Sequence, residues 1–329
     1  MATVSVILNC FNQALYVAEA IESVLDQSYR DFELIAIDNG SSDDTPAILS
    51  RYKSNARVRL FLNRDNCSIT RRFNQGLDAA TGEFVSFLYS DDFYLPQKLE
   101  LQVSEFRALS RNYGVVYCPG LGLNQLTGQR WRHGSVGVSG YVLKQLLLDY
   151  ERGQINMVSP MIRRECFQRY RFYEDVFAEG EAIFFRLAMT YQFSFQDEPL
   201  AVLRDHEGNA GKAIKQNAQI SLACIERLRC YPEFPLECIN YLREYEATVL
   251  RNYGWQAMRV GGDVNWGRRC FARAMQVSWK NALHPRLIAG LGLSILPPVL
   301  RKRMNQWGDK VRNHPHNSVA VESFGGSME

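Results

Sequence analysis

Short apolar runs alternate with helix-periodic segments through the first 118 residues, and few architectures accept that order. Val4–Leu8 is an apolar strand. Val17, Ala20, Ile21, Val24 and Leu25 then recur at helical spacing, which predicts an amphipathic helix over 14–27. Glu33–Ile37 is the next strand and runs into the turn-rich Asp38-Asn39-Gly40-Ser41-Ser42. Thr45-Pro46 predicts a helix start, with Thr as N-cap and Pro in the first position. Val58–Leu62 is a third strand, 69–80 a helix stopped by Thr81-Gly82, and 83–89 a fourth strand. Pro96 opens a helix to about 109, and Gly114–Cys118 is a fifth strand. Strands separated by helices of about 10–15 residues imply βαβ units. The expected fold class is α/β, a Rossmann-like, mainly parallel sheet flanked by helices.

Beyond this half, 119–140 is rich in Gly and polar groups and reads as loops with short strands. Residues 141–210 mix helix with short strand, and 212–282 is helical in pattern. The expected segments are 1–118, 119–210, a helical C-terminal region 211–300, and a tail 301–329 that is basic and then disordered. The net charge of +3 is too small and dispersed for a nucleic-acid partner. Eight cysteines without Cys-x-x-Cys spacing argue for small core residues in a reducing compartment, not for disulfides or a zinc site. The start of the chain lacks the pattern of a signal peptide, and no stretch reaches the ~18–20 apolar residues that span a bilayer.

The strand at Phe84-Val85-Ser86-Phe87-Leu88-Tyr89 stops on Ser90-Asp91-Asp92. Two acids at the C-terminal edge of a buried strand lie where an open α/β sheet presents its ligands. Adjacent carboxylates repel, and a hard divalent cation such as Mg²⁺ or Mn²⁺, shared with substrate phosphates, makes the pair worthwhile. Acids that merely cap the helix after Pro96 are the alternative.

Asn9-Cys10-Phe11-Asn12 after the first strand, the acidic turn at Asp38, Asn66 with Asn74-Gln75-Gly76, Ser90-Asp91-Asp92, and Glu179-Gly180-Glu181 before an apolar helix occur in that order. The ordered set resembles family 2 inverting glycosyltransferases with the GT-A fold, over residues 3 to about 209. The resemblance implies a nucleotide-sugar-binding half over 1–118 and an acceptor-binding, catalytic half over 119–210. It implies a base and ribose site at Asn9, Phe11, Asp38 and Asn39, where many relatives carry two acids in place of Asp38-Asn39. An aromatic face and amide or carboxylate groups suit that task.

The helix after Asn66 begins near Arg71 and Arg72, and a guanidinium there can pair with a diphosphate, although solvated surface arginines are the alternative. Asn66, Arg71 and Asn74 are therefore expected on the donor. The resemblance makes Asp92 the direct metal ligand, gives Asp91 the ribose or a metal-bound water, and places His206 of Arg204-Asp205-His206 near the metal or diphosphate. The usual base aspartate falls on Gly180, so Glu179 or Glu181 is expected to take the acceptor's proton, with Glu179 favoured. The alternative is that both are helix-dipole acids.

The activity so implied is metal-dependent transfer of a sugar from a nucleotide-diphosphate donor to a saccharide or lipid-linked acceptor hydroxyl, in polysaccharide, glycan or glycolipid synthesis. A catalytically inactive nucleotide- or sugar-binding module of the same fold is the alternative. Trp131-Arg132-His133 reads as an acceptor platform or a packed loop anchor. The apolar run 287–300 beside Arg301, Lys302, Arg303, Lys310 and Arg312 reads as a peripheral membrane contact through 285–312 or as a buried terminal helix. A cytoplasmic protein, in part on the inner face of the membrane, is the expected location.

Overall fold

The computed structural model describes residues 2–180, 182–209, 212–261, 263–297, 299–301 and 303–304. The expectations resting on Glu181, Lys302, Lys310, Arg312 and the tail beyond 304 lie outside the described residues. The chain divides into two compact units, Met1–Glu246 and Ala247–Glu329. The division falls within a helix, and the segments 1–118 and 119–210 both lie in the first unit.

Among the described residues, the first unit contains eleven strands: β1 (Val4–Cys10), β2 (Phe32–Asn39), β3 (Val58–Asn63), β4 (Phe84–Tyr89), β5 (Phe93–Tyr94), β6 (Tyr113–Tyr117), β7 (Leu121–Asn124), β8 (Arg130–Arg132), β9 (Met161–Arg163), β10 (Gln192–Phe195) and β11 (Ala201–Asp205). The α-helices of the described residues are α1 (Val17–Leu25), α2 (Thr45–Ser50), α3 (Ile69–Ala79), α4 (Lys98–Ala108), α5 (Leu143–Leu148), α6 (Cys166–Arg169), α7 (Ala182–Ala188), α8 (Ile214–Arg229), α9 (Ile239–Gln256), α10 (Val264–Val277) and α11 (Pro285–Ile295).

Seven strands form the main sheet in the order β10-β6-β9-β4-β1-β2-β3. β4, β1, β2 and β3 are mutually parallel, as are β10 and β6. The three-residue β9 runs antiparallel between β4 and β6. A mainly parallel sheet needs cover on both faces, which is why β1, β2 and β4 are buried almost throughout, whereas the edge strand β3 is largely half-buried or exposed. On one face Val17, Ala20, Ile21 and Val24 of α1 pack on Val6, Leu8, Leu34 and Ala36, each worth roughly 1.5–3 kcal/mol where a large side chain is fully buried. On the other face α3 lies so close to β1 that a Cβ on Gly76 would sit 2.4 Å from Ile7 Cγ2. The Gly of Asn74-Gln75-Gly76 is thus a packing requirement.

A second sheet, β5-β11-β7-β8, begins one residue after the acid pair. β11 pairs antiparallel with β5, Ala201 opposite Tyr94 and Val202 opposite Phe93. That register carries the end of β11 past Asp91 and Asp92.

The expected cap at Thr45 is corrected by the structure. Thr45 is the first helical residue, its N–H donates to Asp43 (3.0 Å), and its hydroxyl accepts from the Gln13 N–H (2.9 Å). The loop after β1 outcompetes the helix for that hydroxyl. In the second unit Phe271 of α10 and Leu287 of α11 pack with Met258, flanked by Trp255 and Val264.

Candidate active site

The tip of β4 is a rigid turn. Asp92 is 6% exposed, its N–H returns to the Tyr89 carbonyl (3.1 Å), and its Oδ1 accepts from the Arg204 N–H (2.9 Å). Burial, reinforced by the charge of Asp91, raises the Asp92 carboxyl well above the ordinary carboxylate range. The Arg204 guanidinium holds the outside of the turn: Nε donates to the Asp91 carbonyl (2.9 Å), Nη2 to Glu19 Oε2 of α1 (2.6 Å), and Nη1 to Gln125 Oε1. Its Cζ lies 5.0 Å from the Tyr16 ring centroid and 5.3 Å from that of Phe93. Gly208 N–H donates to His206 Nδ1 (3.2 Å), so Nε2 carries the ring proton toward Asp91 Oδ2 (3.1 Å). Tyr16 covers the same imidazole at 4.9 Å between ring centroids.

The tips of β1 and β2 share this edge, since Cys10 pairs with Asp38 and Asn9 with Tyr89. Burial first, and then nearby Asp38, Asp91 and Asp43, push the Cys10 thiol far up, while a hydrogen bond with Ser90 pulls it down. Cys10 therefore marks the centre of the edge, with Asp38 to one side and the β4 acids to the other. Asp38 Oδ2 accepts from the N–H groups of Gly40 and Ser41 (both 3.1 Å). Its Oδ1, and Asn9 Oδ1, are buried without a hydrogen-bond partner. Such atoms cost folding energy unless a ligand satisfies them. Phe11 is 38% exposed beyond the end of β1.

Asn39 and Asn66 face each other rather than open space. Asn39 Nδ2 donates to Asn66 Oδ1 (2.8 Å) and the Cys67 carbonyl (2.9 Å), and Asn39 Oδ1 accepts from Cys67 N–H (3.0 Å) and Arg72 Nε (2.7 Å). This closes the loop over the end of β2. Arg72 is buried in that closure, whereas the Arg71 side chain is exposed and only 3.9 Å from Glu174. Both arginines line a groove of about 570 Å³ with Arg59, Phe61 and Gln75; Asp91, Asp92 and His206 are not among its walls.

Asn74, expected on the donor, instead sews α3 to the segment before α7. Its Nδ2 donates to the Phe172 carbonyl (3.0 Å) and Glu174 Oε1 (2.9 Å), and its Oδ1 accepts from Phe172 N–H (3.2 Å). Ser68 and Thr70 hydroxyls donate to the carbonyls of Glu174 (2.8 Å) and Val176 (2.6 Å).

Glu179 is buried in the same segment. It is ion-paired with Arg186 of α7 and accepts from the Tyr173 N–H (2.9 Å), while Arg186 also donates to the Arg171 carbonyl (2.8 Å) and lies 4.0 Å from the Tyr173 ring centroid. Burial raises the Glu179 carboxyl against the opposing pull of Arg186. Glu179, expected to take an acceptor proton, is buried here with both oxygens committed, to the Tyr173 N–H and to Arg186. Gly180 follows at φ +58°, a conformation that L side chains rarely adopt. A side chain at that position would have room but a strained backbone.

Among the described residues no three His, Cys, Asp or Glu side chains form a metal cage. The donor set nonetheless fits a hard cation. One or two carboxylates with substrate phosphates and waters are the usual protein share of a Mg²⁺ or Mn²⁺ site, and a cation would offset the burial of Asp92 and its repulsion from Asp91, which the charge of Arg204 only partly opposes. His206 would have to leave Asp91 to ligate. Reading the Arg-x-His segment for His206 alone missed Arg204. Tyr16 and Glu19 carried no signal beyond a helix's first turn, because their role appears only once β11 is placed.

The model for glycosyl transferase family 2 matches residues 5–173. A putative glycosyltransferase, EpsE, of Bacillus subtilis is 38% identical over 115 residues, 34% of this chain and 41% of its own. An uncharacterized glycosyltransferase of Haemophilus influenzae is 38% identical over 105 residues, 32% of this chain and 42% of its own. These matches span less than half of either relative's length. Among solved structures, the mannosyltransferase PcManGT of Pyrobaculum calidifontis, in complex with GDP-Man and Mn²⁺, superposes with TM-score 0.60 at 18% identity, covering 94% of this chain and 86% of that one. TarS of S. aureus, in complex with UDP-GlcNAc, superposes with TM-score 0.54 at 15% identity, covering 96% and 93%. The mainly parallel sheet with its acid-tipped central strand is the GT-A fold, and with a family model matched over more than half of its length the chain belongs to glycosyl transferase family 2.

Proposed function

We propose that the chain is a glycosyltransferase moving a sugar from a nucleoside-diphosphate donor to an acceptor hydroxyl with inversion. The observation that carries this reading is Asp92: a buried carboxyl at the tip of the central parallel strand, pressed against a second carboxylate and fixed by backbone hydrogen bonds. Folding alone does not favour such an atom, and a cationic ligand does. The orphaned oxygens of Asp38 and Asn9 on the same edge support a nucleoside beside it. The superposable proteins solved with GDP-Man and UDP-GlcNAc support a nucleotide-sugar class without choosing the base.

In this reading Asp38 and Asn9 receive donors from the base or ribose, and Phe11 offers a stacking face. Asn39, Asn66 and Asn74 hold the loops around the donor. Exposed Arg71 is assigned to the diphosphate. Asp92, with Asp91, would hold a divalent cation, Mn²⁺ or Mg²⁺, and bound there it would stabilise the departing diphosphate as a Lewis acid. His206 steadies Asp91. The acceptor oxygen attacks the anomeric carbon, the bond from that carbon to the diphosphate oxygen breaks, and the hydroxyl proton passes to a carboxylate. With Glu179 committed to Arg186, Glu181 is assigned that proton. A saccharide or lipid-linked acceptor, and a role in envelope or glycan synthesis, fit this chemistry.

The test is thermal-shift screening against UDP, GDP, dTDP and their sugars with and without Mn²⁺, since a ligand of the native state raises its stability. One nucleotide should stabilise the chain in a Mn²⁺-dependent way, and Asp92→Asn should abolish that shift while leaving the fold intact. A wild-type shift in Asp92→Asn would overturn the cation assignment. Glu181→Gln should keep donor binding and lose turnover by roughly 10²–10⁴-fold; full turnover would overturn the choice of base.

A further inference from the structure

α11 buries one face and leaves the other apolar. Leu287, Gly290, Leu293 and Ser294 are buried, whereas Ile288 (55% exposed), Gly292 and Ile295 (78%) follow at i, i+4 and i+7 on the open side. The turn before the helix adds Trp279 (71%) and Leu283 (74%), and Val299 and Met304 after it are also exposed. Large apolar side chains exposed singly need no explanation, but a cluster of them within 26 residues of one another does. The same stretch is also basic. From Val264 to Gly308 there are eight Lys or Arg and no Asp or Glu, so with the whole chain at only +3 the remainder is net negative.

We propose that this surface of the second unit docks on an anionic lipid bilayer. Helix α11 would lie in the plane of the membrane. Ile288, Ile295, Leu283 and Trp279 would enter the boundary of headgroups and acyl chains, and Lys280, Arg286, Arg301 and Arg303 would meet lipid phosphates. The charge selects this occupant. An apolar protein partner needs no acid-free stretch, and a nucleic acid has no use for exposed isoleucines. Each basic residue near an anionic surface and each buried methylene adds to the affinity, and the two terms together give reversible attachment. The helix is far too short to span, and no helix among the described residues is long and apolar enough to cross a membrane. The inference stands independently of the catalytic reading.

The experiment is flotation of the full chain with vesicles of phosphatidylcholine alone or with 30 mol% phosphatidylglycerol. The chain should float with the anionic vesicles, at least about tenfold more than with the neutral ones, and should be released by salt as screening predicts. Ile288→Asp/Ile295→Asp, at exposed positions, should reduce anionic flotation by about tenfold or more while leaving the melting temperature and nucleotide binding unchanged. Absence of flotation with anionic vesicles would overturn the proposal, as would flotation that the double variant does not alter. A chain that forms a dimer in sedimentation, with the double variant monomeric and wild-type flotation equal on both vesicles, would overturn it in favour of a second copy as occupant.

Discussion

Asp92 and Glu179 are both buried carboxyls raised by desolvation, yet their surroundings are opposite. Glu179 has a backbone N–H and a buried arginine, itself over the Tyr173 ring; the charge it brings is answered inside the protein. Asp92 has a second acid beside it, and the backbone N–H and charge of Arg204 do not overcome that acid and burial. The first arrangement is complete and does structural work. The second is incomplete and gains from a cation. What separates a structural acid from a ligand here is the sign of the nearest charge, not the degree of burial. Lys98 is a third case. It is fully buried, with the neutral Ser86 Oγ (3.0 Å) and Gln102 Oε1 (2.7 Å) as acceptors and the Tyr94 ring 4.4 Å away, and it responds by giving up its charge more readily. Burial lowers its ammonium to about 7.

The comparison breaks most visibly at the complete pair. Glu179→Gln should cost about 3–5 kcal/mol, because it leaves the Arg186 guanidinium uncompensated in the interior. Urea denaturation measures this, and a loss below about 1 kcal/mol would place Glu179 among the functional acids after all. Lys98 gives the next effect. The unfolded chain keeps that proton to a pH near 10.4, whereas the fold releases it at about 7, so between these values the unfolded state binds more protons. Stability should therefore climb with pH across that window, by up to about 1.4 kcal/mol per unit from this group. In Lys98→Met this part of the climb should vanish; equal slopes in the two proteins would refute it.

Arg204→Met keeps the apolar body near Tyr16 and Phe93 but removes the bonds to Glu19, Gln125 and the Asp91 carbonyl. A loss of about 1–3 kcal/mol is expected, with weaker Mn²⁺-dependent nucleotide binding from the loosened turn. Calorimetric titration would show whether binding is spared, which would limit Arg204 to stability. The smallest stability change belongs to Asp92→Asn. Removing a carboxyl that burial and Asp91 both disfavour should move the apo protein by less than about 1 kcal/mol, or stabilise it. A loss as large as that of Glu179→Gln would erase the distinction drawn between the two acids.

The strands β1 to β4 and their helices were legible because each signal is local: apolar runs ending on Asn9, Asp38 and Asp91, and helical spacing in Val17–Leu25. The acid pair was legible for the same reason, since Phe84–Asp92 is one continuous segment. β9 was not, because three residues carry no period and its place between β4 and β6 depends on partners far along the chain. The Thr45 cap misled because Gln13, remote in sequence, claims its hydroxyl.

Residue order alone determined the alternating architecture, the position of Asp91 and Asp92 at a strand's end, and the family that the ordered motifs resemble. Tertiary structure decided what each acid faces: Arg186 across a turn for Glu179, Asp91 and the backbone of β11 for Asp92, and His206 for Asp91. Periodicity is written in neighbours three or four positions apart. The partner that a carboxylate meets can lie up to 115 positions away in sequence, as His206 does from Asp91, and only folding brings the two within hydrogen-bond reach.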